Sequence, residues 1–148
     1  MAIMINRNDS PKFYLMLRDI YGNSLGVKPG DFQDLSFSIY KVSGVTRTIL
    51  EGYDNVPIPQ EYFYSEAQEY PGTIKNVTSA EKAEGYNFKL FPYVAKTEDG
   101  VARWTSPFSE SNTTYEIAVN LSYYMKDDAL DGLALLTRTL TISVQTRS

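Results

Sequence analysis

A chain of 148 residues that is 43% hydrophobic and 22% charged has ordinary globular composition, which excludes wholesale disorder. A net charge of −4, a pI near 4.8 and scattered lysines and arginines exclude the basic footprint of a nucleic-acid binder. Histidine and cysteine are both absent, which excludes a disulfide framework, a Cys-based zinc site, the Ser-His-Asp and Cys-His nucleophile arrangements and the commonest general base.

The length fits one domain over 1–148, large enough to bury about two-thirds of the surface its unfolded form exposes. Twelve Tyr and seven Phe favour strands, because aromatic side chains suit a pleated, half-buried surface. The first nine residues lack the long apolar stretch and small-residue cleavage site of a signal peptide. No run approaches the ~18 apolar residues of a membrane-spanning helix, so no membrane partner is expected.

Residues 1–11, polar after Ile5 and closed by Ser10-Pro11, predict a tail or an edge segment. Phe13, Leu15 and Leu17 then alternate with Tyr14 and Met16; apolar groups on both faces mark a strand covered on both sides or touching a partner. Leu35, Phe37 and Ile39 alternate with Ser36, Ser38 and Tyr40, which predicts a half-buried strand. Ser43-Gly44 breaks it, and residues 46–50 return.

Residues 53–85 are the least regular stretch. Pro57, Pro59 and Pro71 disqualify a central strand, while Tyr62, Phe63, Tyr64 and Tyr70 crowd aromatics into it. Two readings compete here. Either the rings plug the edge of the core, or they form an exposed contact surface, since Tyr gives contact area at low entropic cost. Thr78 and Glu81 fit a capping box and Gly85 a C-terminal stop, so a short helical turn is expected at 78–84, with another in 60–69.

Phe88 and Leu90 share one face of the next strand, Pro92 ends it, an acidic turn follows at Asp99-Gly100, and residues 101–105 return. A short helical turn, Gly-Tyr opening a strand, an acidic-Gly hairpin and then Trp-Thr-Ser-Pro over 78–110 resemble the late strands of fibronectin type III and related immunoglobulin-like domains. The resemblance places Tyr86 as the tyrosine that bonds back to the preceding corner in that family. It implies an all-β fold: an antiparallel immunoglobulin-like sandwich, here with one or two short helical turns and a long C-terminal hairpin. The chain departs from the family in having Trp104 as its single tryptophan, with none on an early strand, and in carrying that hairpin beyond the family's usual end.

The hairpin occupies residues 113–146. Tyr115, Ile117, Val119, Leu121, Tyr123 and Met125 alternate with Thr114, Glu116, Ala118, Asn120 and Ser122, one apolar and one mostly wet face. After a polar connection at 126–132, alternation resumes with Leu140, Ile142 and Val144 against Thr139, Thr141 and Ser143. Asp127, Asp128 and Asp131 bring oxygen ligands together before Gly132, but their order is not that of an EF-hand loop, and a solvated turn is the expectation.

No catalytic, cofactor-binding or metal residue is therefore assigned. A Cys-free, His-free, Tyr-rich β chain of this size looks like a small structural protein of a tailed-phage virion: a head-decoration, head–tail connector or tail-ring subunit. That resemblance implies contact with other virion proteins or with copies of itself, and a virion location after synthesis in the host cytoplasm. The expected contact residues are Tyr62, Phe63, Tyr64 and Tyr70, with Tyr123 and Tyr124 near the hairpin tip. A carbohydrate-binding or adhesin-type module, with Trp104 and Tyr93 or Tyr62 as a sugar platform, is the alternative.

Overall fold

The computed structural model describes residues 2–16, 32–58, 80, 83, 88–94, 96–103, 105–127 and 132–147. The described residues are mostly strand. In chain order the strands are β1 (Ile3–Asn6), β2 (Phe13–Leu15), β3 (Phe32–Ser43), β4 (Thr46–Ile49) and β5 (Val56–Pro57), followed by β6 (Phe88–Leu90), β7 (Lys96–Glu98), β8 (Val101–Arg103), β9 (Thr114–Asp127) and β10 (Gly132–Arg147). Of the turn expected at 78–84, Ala80 and Ala83 are described and have helical backbone. The rest of it, the possible turn at 60–69 and Tyr86 lie outside the described residues.

The large sheet runs β1-β10-β9-β3-β4, with β5 also on β3. Its backbone is the hairpin β9–β10, paired without a register shift from Gly132↔Asp127 to Gln145↔Thr114. The second strand of this hairpin is 16 residues long and begins at Gly132, well before the alternation that marks it in the sequence. β3 lies antiparallel on the far side of β9, with one extra residue, Gln33, between Phe32 and Asp34. The sheet is not purely antiparallel as expected, because β1 runs parallel to β10, Ile3 opposite Val144 and Asn6 opposite Arg147. Within residues 1–11, for which a tail or an edge segment is expected, β1 is the end strand of the sheet among the described residues.

Alternation along β9 builds the core. Tyr115, Ile117, Val119, Leu121 and Tyr123 are all buried on one face, flanked by Phe37 and Ile39 of β3 and by Ile142 and Val144 of β10. The same cluster contains Phe13 of β2 and Phe88 and Leu90 of β6, which form a separate two-stranded antiparallel sheet. Apolar surface shared between these two sheets is what a lone hairpin lacks. β7 and β8 form a small hairpin of their own, turned at Asp99 (φ 52°) and Gly100 (φ 75°), both left-handed as a type I′ turn needs. These findings establish a β-rich fold with a mixed sheet and small accessory sheets.

The outer face of the large sheet carries small polar side chains in register. Ser122 and Thr137 hydroxyls lie 3.0 Å apart, and Thr139 Oγ1 donates to Asn120 Oδ1 at 3.0 Å. Ser36 and Ser38, which alternate with the apolar residues of β3, are buried. The loop between β4 and β5 lies against this part of the sheet, and the Asn55 amide donates to Ser38 Oγ at 2.9 Å, giving a buried hydroxyl the partner it requires.

The candidate interaction surface

The two edges of the large sheet are built differently. On the β3 side the edge is broken: Ile49 faces Tyr40 and Pro57 faces Ser36, so eight steps along β4–β5 match four along β3, and four residues are extra. Those residues are still tied down, with the Leu50 amide donating to Ile39 O at 2.9 Å and the Ile39 amide to Tyr53 O at 3.0 Å. A bulged, proline-bearing edge is a poor template for another strand. Arg47 adds charge there, ion-paired to Glu116 at 2.5 Å and lying 4.2 Å above the Tyr40 ring. A second exposed ion pair joins Lys41 to Glu110, whose hydrogen bond raises the Lys41 pKa.

On the β10 side the edge is regular. β1 covers Val144 to Arg147, and among the described residues no strand pairs the outer side of β10 from Gly132 to Ser143. Beside it opens a groove of about 440 Å³ lined by Ile3, Pro11, Phe13, Tyr14, Leu15 and Ile142, among others. Large apolar side chains stay exposed on β1 and just after β2: Ile3 (46%), which lines the groove, Met4 (47%) and Met16 (49%). Of the two faces of β2, Phe13 enters the core, while Tyr14 and Met16 are substantially exposed. Across the small sheet, buried Lys89 carries its ammonium 5.6 Å from the Tyr14 ring centroid.

The segment after β1 holds this side of the molecule together. The Asn8 amide donates to Phe108 O at 2.8 Å, Ser106 Oγ to Asp9 O at 2.5 Å, and the Tyr93 hydroxyl to Pro11 O. Burial pushes the Tyr93 pKa well above the ordinary phenol value, with the charges of Tyr53 and Asp9 adding to the effect. Tyr53 is raised for the same leading reason, opposed by a backbone hydrogen bond from Val94.

The contact residues expected from sequence separate. Tyr62, Phe63, Tyr64 and Tyr70 lie outside the described residues, as do Trp104, Asp128 and Asp131. Tyr123 is 2% exposed, so its ring belongs to the core. Its place on the alternating apolar face was the signal that assigned it there. Tyr124, its neighbour, is 45% exposed on the opposite face, opposite Leu135 and donating its hydroxyl to Gln33 Oε1 at 3.0 Å. Tyr93, named as a sugar platform, is partly buried and its hydroxyl is engaged. The sequence reading missed Ile3 and Met4 as exposed apolar residues, because a strand pattern does not state which strand is outermost. Among the described residues no three carboxylates gather as a metal site. No protein family matches the chain, and comparison with curated proteins and with solved structures gives no match.

Proposed function

We propose that the chain is a non-enzymatic assembly protein that acts through protein–protein contacts, in the manner of a virion accessory subunit such as a head-decoration, connector or tail-ring protein. The observation that carries this reading is the set of exposed large apolar side chains, Ile3, Met4, Tyr14 and Met16, borne by two short strands, β1 and β2, and the residue after β2. Aromatic and methionine side chains are enriched where proteins meet, and repeated copies turn weak contacts into avid ones.

The test is assembly by the purified chain. Sedimentation and negative-stain micrographs are expected to show ordered species larger than a dimer. Changing Tyr62, Phe63 and Tyr64 together to Ser is expected to abolish them while the β circular-dichroism spectrum persists, since binding energy concentrates in a few aromatic anchors. Unchanged assembly by a folded triple variant removes those residues from the interface. A chain that never assembles, yet is retained on a glycan array and released by Trp104→Ala, overturns the reading in favour of a sugar-binding module.

A further inference from the structure

We propose that β1 is an exchangeable strand: in the assembled state each copy lays its β1 on β10 of a neighbouring copy, in the seat its own β1 fills in the single chain. The inference rests on the assembly reading and names the partner, a second copy of this chain, and the joint that links the two.

The joint is short and strained. β1 is joined to the body by a two-residue turn, Arg7-Asn8, closed by the Asp9 amide donating to Asn6 O at 3.1 Å and the Asn6 amide donating to Asp9 Oδ2 at 3.1 Å. Asn8 holds left-handed backbone at φ 67°, a conformation that glycine alone adopts without steric cost. Short hinges under strain invite exchange between copies, because straightening the hinge releases the strain while the exchanged strand remakes the contacts it had.

The unit that can move ends at this turn. Beyond it the chain is held to the body without help from β1: the Asn8 amide donates to Phe108 O, Ser106 Oγ to Asp9 O and the Tyr93 hydroxyl to Pro11 O, and Phe13 enters the core. Lifting β1 therefore opens the turn and leaves the crossing to β2 in place. β1 itself is lightly held. It has four residues, pairs with β10 in parallel, the less stable arrangement per residue, and buries a single side chain, Ile5. Its seat is specific all the same. Ile5 pairs with buried Thr146 and Ile3 with buried Val144, so a slip of one residue would turn Ile5 out of the core. Straightened, the four residues from Asn6 to Asp9 span about 10 Å, which brings the donating and accepting bodies into contact beside the joint. The closed and exchanged forms share one β1–β10 pairing, so the balance between them is set by the joint, by contact between the bodies and by concentration.

Met4 and Gln145 are register partners, and the chain has no cysteine. Neighbouring strands lie within disulfide reach of each other, so Met4→Cys/Gln145→Cys reports which chain's β10 each β1 occupies. Oxidised at assembling concentrations and run without reductant, the double variant should give bands at multiples of the 16.7 kDa mass, with peptides joined between positions 4 and 145. Copies carrying Met4→Cys alone and copies carrying Gln145→Cys alone, unfolded and refolded together, should link through the same two positions, which no closed chain can do. Asn8→Gly removes the strain at the joint and should lower the linked fraction at equal concentration; an unchanged fraction overturns that strain as the drive. The mixed single variants decide the matter if the double variant does not fold. Internal links alone in a chain that assembles overturn the exchange and leave the assembly reading standing. Internal links alone in a chain that stays monomeric at every concentration overturn both. A folded double variant that stays unlinked overturns the seat of β1 and the exchange with it. Linked pairs that build nothing larger than a dimer support the exchange and count against the assembly reading.

Discussion

Thr113 and Thr146 bond each other through backbone and side chain: the Thr113 amide donates to Thr146 Oγ1 at 3.0 Å, the Thr146 amide donates to Thr113 O at 2.9 Å, and Thr146 Oγ1 lies within donating distance of the same carbonyl at 3.2 Å. The same Thr146 hydroxyl donates to Glu110 O at 2.6 Å. At 1% exposure, this side chain closes the base of the β9–β10 hairpin and fixes the chain leading into it. Thr146→Val keeps the shape and removes the hydroxyl, so the Thr113 amide and the Glu110 carbonyl lose their partner. A loss of about 1–3 kcal/mol is expected, read from the urea midpoint at unchanged m-value. Thr146→Ser keeps the hydroxyl and should recover most of it.

Val119 tests the register of the core. It is fully buried, opposite Phe37 on one side and Leu140 on the other. Val119→Asp places an unpaired carboxylate there, and the several kcal/mol this costs is a large part of a total stability of about 5–15 kcal/mol. No soluble folded protein is expected. Asn120→Asp, one position along and facing outward, should fold, with the two outcomes compared by circular dichroism of the soluble fraction.

Burial raises the Tyr93 and Tyr53 pKa values in the folded state above their unfolded value near 10. Between the unfolded and folded values the unfolded chain has lost its phenol proton and the folded one has not. The stabilisation is therefore complete below about pH 10 and is lost as pH rises beyond it. Denaturant midpoints measured from pH 8 to 11.5 should fall at the alkaline end. Tyr93→Phe should lie lower at neutral pH by about 1 kcal/mol, from the lost bond to Pro11 O, and should show a shallower alkaline decline.

Gly44 opens a two-residue hairpin turn at φ +61° with no atom near the position a Cβ would take. An alanine there meets backbone strain alone, as the type II′ geometry places a left-handed residue first. Gly44→Ala should therefore lower stability by about 1–2 kcal/mol, while Val45→Thr in the fully exposed second position should change it by less than about 0.5 kcal/mol. Thermal melts of the two variants give the comparison.

The sequence by itself determined the local periods. Alternation from Tyr115 to Tyr123 assigned the buried face, and the turns at Gly44 and Asp99-Gly100 follow from residues that accept left-handed backbone. What it did not determine is which strands become neighbours and in which direction. Nothing in Ile3-Met4-Ile5-Asn6 states that it will lie parallel to β10, because that pairing joins residues some 140 positions apart and is decided by where the chain closes on itself. Nor does the run from Leu133 to Leu136 alternate. It is a strand because the preceding β9 offers it a continuous ladder down to Asp127. Tyr123 and Tyr124 make the same point at one site. A strand sends consecutive side chains to opposite faces, so only the side that packs decides which tyrosine joins the core and which remains on the surface.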